Sequence, residues 1–367
     1  MAYTTINDPS VYFQNMLYTG DGSNSQNITN TGNSNLQPDL LWIKNRSTSS
    51  NPIIQDSSRE IYRQFFTDNS SSEYNSGAWG HVNSVATDGF QVDVGNSSSE
   101  ANANKNNDNY VAWQWKCNAG TQATESNDNI NYTRQTNTTA GLTILKYSGA
   151  TNASSDGDNN GGNYWKMDHG LGVTPNVGIF KKRSGSGAWY VYADVLGTVA
   201  SGKHLQLQGT NAVQTETNLF GSSGSWSNTQ VQIGGWDVVN RSGSTYVAYI
   251  FAEKQGFSKF GVYRGNNNAD GPFVDTGFKP AWLLIKNYTA SGNGWTMTDN
   301  ARSPSNEATK YLLANTADTE ATGVNIDLLS NGFKLRATAQ NESQSYFYMA
   351  FAEHPFVSSA GVPTTAR

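Results

Sequence analysis

The stretch "LQPDLLWIKNR", residues 36–46, decides the fold because the chain repeats its pattern twice more. The copies are "VTPNVGIFKKR" at residues 173–183 and "FKPAWLLIKNY" at residues 278–288. An apolar run between a proline and a lysine is typical of a central strand buried on both faces, and the proline stands at its entrance, where a missing N–H does least harm. The repeated pairs are Pro38 and Lys44, Pro175 and Lys181, and Pro280 and Lys286.

Three further motifs follow each proline in a constant order, which is the signature of an internal repeat. An aspartate comes first, at Asp56, Asp194 and Asp299. An alternating strand is next, as "DGFQVDVG" from residue 88, "TQVQIGG" from 229 and "NGFKLRA" from 331. An aromatic strand closes each repeat, as "YVAWQWK" from residue 110, "YVAYIFAE" from 246 and "YFYMAFAE" from 346.

These motifs predict an all-β protein of three tandem antiparallel β-sandwich modules of jelly-roll type. Short runs of β-branched and aromatic residues between Gly, Asn, Asp and Ser clusters favour strands. We expect module 1 with an N-terminal arm at residues 1–138, module 2 at 139–256, and module 3 with an extended C-terminal tail at 257–367. Residues 118–141 are expected to form a hinge or a decorated loop.

The composition narrows the possible functions. Only 36% of the 367 residues are hydrophobic and 14% are charged, unlike an ordinary helical enzyme, while 12% aromatic residues are enough for a core. A net charge of −5 without a basic block argues against nucleic-acid binding. No apolar run approaches the roughly 20 residues of a membrane span, so we expect no membrane insertion. The single cysteine, Cys117, cannot form an intrachain disulfide.

One loop offers a calcium motif. "DGDNNG" at residues 156–161 matches the first half of a calcium-binding loop, but the glutamate required at position twelve is replaced by Met167. A polar surface loop is the favoured interpretation and a calcium site is the alternative. No other cofactor is expected, because the four histidines fit no zinc spacing. The candidate calcium ligands are Asp156, Asp158 and Asn160.

The repeated aspartates do not suggest catalysis. A catalytic group is needed once per active site, whereas Asp56, Asp194 and Asp299 occupy the same place in each repeat. Triplication favours a structural role for them and for the repeated prolines and lysines, so we predict that the chain is not an enzyme. Lys44 is expected to emerge at the end of its strand, into solvent or onto the neighbouring module, and Lys44→Ala is expected to change little.

Three tryptophans outside the repeated motifs are candidates for sugar binding. They occur in the Gly/Ser-rich stretches "SGAWGH", "NYWKMDHG" and "SGSWSN", and such loops often carry binding residues. Tryptophan rings can stack on sugars, whereas tryptophans within strand motifs are expected in the core. The candidates are Trp79, Trp165 and Trp226.

The motifs also resemble a known family. "DPSVYFQNMLYTGDGSN", "LQPDLLWIKNR", "FSKFGVYRGNNNADGPFVDTGFKPAWLLIKN", "LSNGFKLR" and "YFYMAFAEHPFVSS" resemble repeat-containing virion structural proteins, of tail-fibre or appendage type, of marine bacteriophages including cyanophages. The resemblance covers nearly the whole chain and is weaker in the second repeat, where "GGWDVVN" replaces the usual "GF" strand. It implies a component of a phage particle and supplies no catalytic residues.

The first functional hypothesis is therefore a tail fibre or surface appendage component of the virion that takes part in host attachment. Its expected partners are other virion proteins, further copies of itself in a homo-oligomer (a trimer by analogy with fibres) and a host surface glycan. Tandem modules would lengthen a shaft or multiply weak contacts. One alternative is a capsid decoration or tail adaptor protein without a ligand. Another is a polysaccharide depolymerase, which would need two carboxylates in a groove.

Overall fold

The chain folds almost entirely into antiparallel strands, which confirms the all-β prediction. The computed structural model describes residues 2–74, 77–96, 102–153, 163–217, 219–221 and 226–364, so the candidate calcium ligands Asp156, Asp158 and Asn160 lie outside the described residues. No helix within these ranges has the length and apolarity to cross a membrane. The described helical segments are short 3₁₀ turns at Pro9–Val11, Ser57–Arg59, Gly77–Trp79, Asp194–Leu196 and Val199–Ser201.

The first part of the chain forms a five-stranded sheet of order β1-β8-β3-β4-β5 and a three-stranded sheet of order β2-β7-β6. We call this part unit 1. Its strands are β1 (Phe13–Thr19), β2 (Gln26–Ile28), β3 (Leu40–Asn45), β4 (Ile53–Asp56), β5 (Gln64–Phe66), β6 (His81–Ala86), β7 (Gly89–Asp93) and β8 (Asn109–Trp115).

The next part, unit 2, forms an eight-stranded sheet of order β16-β15-β14-β13-β18-β11-β10-β9 and the pair β12-β17. The stretch expected to be a hinge or loop contains the β9–β10 hairpin, which extends this sheet, so that expectation is wrong. The strands are β9 (Ala123–Asn127), β10 (Ile130–Asn137), β11 (Leu142–Ser148), β12 (Trp165–Asp168), β13 (Val177–Lys182), β14 (Tyr190–Ala193), β15 (Lys203–Gln206), β16 (Gln214–Thr215), β17 (Gln230–Ile233) and β18 (Thr245–Phe251).

The last part, unit 3, forms one eight-stranded sheet of order β19-β26-β21-β22-β23-β24-β25-β20. Its first five strands follow the same order as β1-β8-β3-β4-β5 in unit 1 and β11-β18-β13-β14-β15 in unit 2. The strands are β19 (Ser258–Arg264), β20 (Phe273–Asp275), β21 (Phe278–Asn287), β22 (Trp295–Asp299), β23 (Ala308–Leu313), β24 (Ala321–Leu329), β25 (Gly332–Leu335) and β26 (Ser345–Pro355).

The repeated central strand is buried as its sequence predicts. All six residues of β3 are buried, as are those of β13. Pro38 and Pro175 are buried and lie two residues before the first residues of these strands, whereas Pro280 lies within β21 where the strand register is irregular. A bulge tolerates proline because the regular hydrogen-bond ladder is already interrupted there.

The two faces of the aromatic strands in units 1 and 2 pack into different cores. In β8, Tyr110 and Ala112 pack against the small second sheet of unit 1. Val111, Trp113 and Trp115 face the other way, into a central core that contains buried side chains from all three units. Strand side chains alternate between faces, so one strand lines both cores.

The central core joins the units side by side. Trp282 of unit 3 lies with its ring centre 6.3 Å from that of Trp42 and 5.5 Å from that of Trp115, both in unit 1. Phe251 of unit 2 and Phe351 of unit 3 have ring centres 6.0 Å apart. Aromatic pairs at these distances stabilise a core beyond simple area burial. The units therefore surround one core, which differs from an end-to-end shaft.

Candidate functional site

The repeated aspartate of unit 1 lies at a buried contact with unit 2. Asp56 accepts hydrogen bonds from the backbone N–H groups of Ser58 and Arg59, both at 3.0 Å. Its Oδ2 also accepts from Arg59 Nε at 2.5 Å and from the hydroxyl of Tyr249, in unit 2, at 2.7 Å. The Asp56 and Arg59 side chains are both fully buried. A buried carboxylate is tolerated here because its partners replace the lost water.

The repeated aspartate of unit 3 makes the same contact with unit 1. Asp299 accepts from the backbone N–H of Arg302 at 2.8 Å and from Arg302 Nε at 2.6 Å. Its Oδ2 also accepts from the indole N–H of Trp113 at 3.0 Å. Trp113 pairs with Trp42 in its sheet just as Tyr249 pairs with Ile179, so the two donors hold equivalent positions.

A glutamate completes each of these two contacts. Glu73 of unit 1 binds Arg59 at 2.8 Å and Arg183 of unit 2 at 2.8 Å. Glu320 of unit 3 accepts two bonds from Arg46 of unit 1, at 2.8 and 2.9 Å. We call the Asp56, Arg59, Glu73, Arg183 and Tyr249 group the 1–2 network, and the Asp299, Arg302, Glu320, Arg46 and Trp113 group the 3–1 network.

The contact between units 2 and 3 is built differently. The backbone N–H of Val213 in unit 2 donates to the carbonyl of Tyr288 in unit 3 at 2.8 Å. The equivalent backbone bond runs from Glu73 to Arg183 between units 1 and 2, and from Glu320 to Arg46 between units 3 and 1, each at 3.1 Å. An apolar pair thus stands in the place of an ion pair. Asp194 is exposed and accepts a hydrogen bond from Asn176 at 2.7 Å, and Gly197 replaces the arginine found three residues after the other two aspartates.

The three contacts close a ring. The 3₁₀ turn after Asp56 packs on β11 of unit 2, and the turn that begins at Asp194 packs on β19 of unit 3. The turn after Asp299 returns to β1 of unit 1, where Asn15 donates to Asn300 at 2.8 Å. Since β1, β11 and β19 are equivalent strands, the arrangement has approximate three-fold symmetry within one chain.

The repeated lysines are buried, so the expectation of emergence into solvent is wrong for them, while the alternative of contact with the neighbouring module is found at Lys44. Lys44, Lys181 and Lys286 have no exposed surface. Lys181 Nζ donates to Gly187 O and Lys286 Nζ to Asn293 O, each at 2.5 Å. Burial lowers the pKa of Lys181 to about 7 and the pKa values of Lys44 and Lys286 to about 8, because the charged form loses water.

Lys44 also joins two units. Its Nζ donates to Ser50 O in unit 1 and to Thr316 O in unit 3, both at 2.8 Å. The lysine therefore ties a loop of its own unit and a loop of its neighbour to the end of β3. Such a position requires a long side chain with several donors, which explains why a cation follows an apolar strand.

Two of the three candidate tryptophans are in the core of unit 2, so the expectation of exposed loop rings is wrong for them. Trp165 begins strand β12, is 3% exposed, and donates its indole N–H to Asn152 at 2.8 Å. Trp226 is 5% exposed and donates to the carbonyls of Phe220 and Gln232 at 3.1 and 3.0 Å. Both rings fill the sandwich core, and their single polar atoms are paired there.

Trp79 lies partly exposed on unit 1. It ends a 3₁₀ turn, and its ring centre is 5.0 Å from Tyr74 and 5.8 Å from Phe66. Among the described residues, no group of three or more His, Cys, Asp and Glu side chains is placed to hold a metal ion.

Unit 2 carries a groove that the sequence analysis did not identify. It has a volume of about 230 Å³ and runs over one face of β14, β15 and β16. Tyr190 is paired with Gln206 and His204 with Gln214 in the sheet register, and residues paired in this way share a face. The remaining wall comes from Glu216 and from Trp236 in the turn after β17.

The groove has fixed walls. The N–H groups of Val239 and Asn240 both donate to Trp236 O, at 3.0 and 2.7 Å, and the Trp236 indole N–H donates to Thr217 O at 3.1 Å. The ring centres of Tyr190 and His204 are 5.2 Å apart. Burial and the negative charge of Glu216 raise the pKa of Tyr190, so its hydroxyl stays protonated.

A signal for this groove exists in the sequence. Trp236 belongs to "GGWDVVN", the stretch in which the second repeat departs from the other two. A residue copied three times serves the fold, whereas a tryptophan that appears only where one repeat departs is a better candidate for function. The three-fold comparison of the repeats therefore points to Trp236 more directly than loop composition does.

The fold and its networks define a class: an all-β chain with internal three-fold repetition, whose units are joined by a central aromatic core and two buried ion networks. The chain belongs to the family described as a domain of unknown function (DUF7483), whose model matches residues 8–355. The match spans all three units. No curated protein and no solved structure matches the chain.

Proposed function

We propose that the chain is a structural component of a bacteriophage particle, part of a tail fibre or similar appendage, and that it takes part in host attachment. The observation that carries the proposal is the central core shared by three all-β units. The three units correspond to the three repeats of the sequence, and we propose that each is a β-sandwich module. An external particle component has to keep its shape outside the cell, and a core shared by three units provides rigidity.

The two buried ion networks support the same role. Breaking one member of a buried, hydrogen-bonded ion pair costs about 3–5 kcal/mol, so such contacts hold units in one arrangement. The resemblance of the repeated motifs to virion structural proteins of marine phages supports the assignment to a phage particle. The expected partners are other virion proteins and further copies of the chain, with a trimer by analogy with fibres.

The test uses purified particles of a phage that encodes the chain. We expect mass spectrometry to detect the chain in the particles and cryo-electron microscopy to place its density on a tail appendage. Antibodies against the chain are expected to block adsorption to host cells. Absence from the particles would contradict the proposal, and density lying flat on the capsid would replace the attachment role with that of a decoration protein.

A further inference from the structure

We propose that the groove formed by Tyr190, Gln206, Gln214, Glu216 and Trp236 binds a single neutral sugar ring. The inference rests on the chemistry of these side chains and on their position in the one unit that departs from the repeat. It names a ligand for the proposed role in host attachment. It rests on that role only in assuming that the sugar comes from the host surface.

The aromatic rings provide the apolar contact that a sugar requires. Tyr190 and Trp236 are both half-buried, so each keeps ring surface open to the groove. The C–H face of a pyranose is apolar, and amphipathic rings such as these offer contact area at low entropic cost. The hydrogen bonds that hold Trp236 fix its turn before any ligand arrives, which favours binding by preorganisation.

The polar groups match hydroxyl groups. Gln214 carries a donor and an acceptor and Glu216 two acceptors, while Gln206 offers its amide N–H groups, because its Oε1 already accepts from Gln208 Nε2 at 3.2 Å. Gln214 Oε1 is buried and has no hydrogen-bond partner within the described residues. A rotation of this amide as a ligand enters would pair it with a hydroxyl, which removes the cost of an unpaired acceptor.

The charge of the groove selects against acidic sugars. Glu216 is the only carboxylate or amine among the described side chains that line it. Burial lowers the pKa of His204, so this ring is neutral at pH 7 and adds no positive charge. A carboxylate brought beside Glu216 would be repelled, so we expect neutral hexoses or N-acetylhexosamines to bind and uronic or sialic acids to be rejected.

The size of the groove limits the ligand to about one ring. Its volume of about 230 Å³ lies below the roughly 300–1,000 Å³ of sites for drug-sized molecules. A ligand of this size in an open groove is expected to bind with a dissociation constant on the order of 1 mM. Several copies of the chain on one particle would convert this weak affinity into firm attachment.

A larger cleft between units 1 and 3, of about 320 Å³, is a weaker candidate. Its one aromatic lining residue, Phe13, is buried. The Gln14 amide in its wall is already used, because it donates to the carbonyls of Ser10 and Ser34 and accepts from the N–H of Gly32. The Gln14 amide therefore holds loops together, and the cleft offers no exposed aromatic ring among its described lining residues on which a sugar could stack.

The test is ligand-observed NMR on the full chain, with methyl β-galactoside, methyl β-glucoside and methyl N-acetyl-β-glucosaminide as neutral probes. Glucuronic acid, sialic acid and choline are the charged probes. We expect at least one neutral probe to bind, and Trp236→Ala to weaken it about tenfold or more. Tyr62→Ala, which removes a partly exposed aromatic side chain outside the groove, is the matched control and should leave binding unchanged.

If Trp236→Ala fails to fold, a second variant, Glu216→Gln, still tests the proposal. This variant should retain neutral sugars and raise the affinity for glucuronic acid. The proposal is overturned if no neutral probe binds, if Trp236→Ala binds as well as the wild type, or if choline or an acidic sugar binds the wild type more tightly than the neutral probes. This test uses the purified chain, so a failure to bind sugars would leave the proposed place in the phage particle untouched. That proposal is tested by detecting the chain in particles.

Discussion

The hydroxyl of Tyr249 donates a 2.7 Å hydrogen bond to Oδ2 of Asp56, across 193 positions of sequence. The indole of Trp113 makes the corresponding bond to Asp299 at 3.0 Å, across 186 positions. The third equivalent position in the aromatic strands is Met349, which has no hydrogen to donate. A buried hydrogen bond to a carboxylate therefore joins units 1 and 2 and units 3 and 1, whereas the described residues form no such bond at the equivalent position between units 2 and 3.

Removing the Tyr249 hydroxyl should weaken the whole chain. Tyr249→Phe keeps the ring but leaves one buried carboxylate oxygen with one partner fewer, and we expect a loss of about 1–3 kcal/mol in the free energy of unfolding. Urea denaturation measures it. Tyr62→Phe removes the hydroxyl of a side chain that is 37% exposed and should stay within about 0.5 kcal/mol of the wild type. Equal effects from both variants would contradict this account.

The repeated aspartates should contribute unequally to the free energy of unfolding, although they occupy the same place in each repeat. Asp299→Ala leaves the buried Arg302 without its closest partner, and the expected loss is about 3–5 kcal/mol. Asp194→Ala changes an exposed residue and should cost about 0.5 kcal/mol or less. Thermal or denaturant unfolding of the two variants compares them directly. A large loss from Asp194→Ala would mean that the third contact is also closed by its aspartate.

Lys44→Ala should destabilise the chain, which reverses the sequence-based expectation of little change. The substitution deletes a buried aliphatic stem and the donors for Ser50 O and Thr316 O, so we expect a loss of at least about 2 kcal/mol. Lys44→Met restores the stem without the charge and separates packing from hydrogen bonding. An unfolding free energy of Lys44→Ala equal to that of the wild type would contradict the placement of this side chain.

The buried lysines predict a pH dependence of stability. The pKa of Lys181 is lowered to about 7 in the folded chain from an ordinary value of 10.5, so between pH 7 and 10 the unfolded chain binds more protons. Stability therefore rises with pH in this window, by at most about 1.4 kcal/mol per pH unit for each lysine.

Lys181→Met tests this dependence. The variant lacks one titrating group, so its unfolding free energy should rise less steeply between pH 7 and 10 than that of the wild type. Above about pH 10 the sign reverses, because burial raises the pKa of Tyr249 and unfolding then releases protons. Identical slopes for wild type and variant would show that Lys181 keeps an ordinary pKa.

Local patterns in the sequence were sufficient to predict the strands. The apolar run 40–43 predicts a central strand, and the alternation of Val111, Trp113 and Trp115 predicts one shared face, because burial on one or both faces dictates which residues a strand can carry. The prediction of three repeats also follows from spacing alone. These features depend on neighbours within a few positions.

The ring and its site could not be predicted in this way. The donor for Asp56 lies in another unit, and no local rule connects residues almost 200 positions apart. Trp165 and Trp226 stand among glycines and serines, which suggest loops, but tertiary packing places both rings in the core of unit 2. Tyr190 and Glu216 become neighbours only through the pairing of β14, β15 and β16.

The measurement that tests the central claim most directly is differential scanning calorimetry of the whole chain. If the three units share one core, they unfold together, and the calorimetric enthalpy equals the van't Hoff enthalpy of a single transition. Asp299→Ala should then lower the temperature of that one transition without splitting it. Two or three separate transitions in the wild type, with Asp299→Ala shifting only one of them, would show that the units are independent modules and would contradict the shared core.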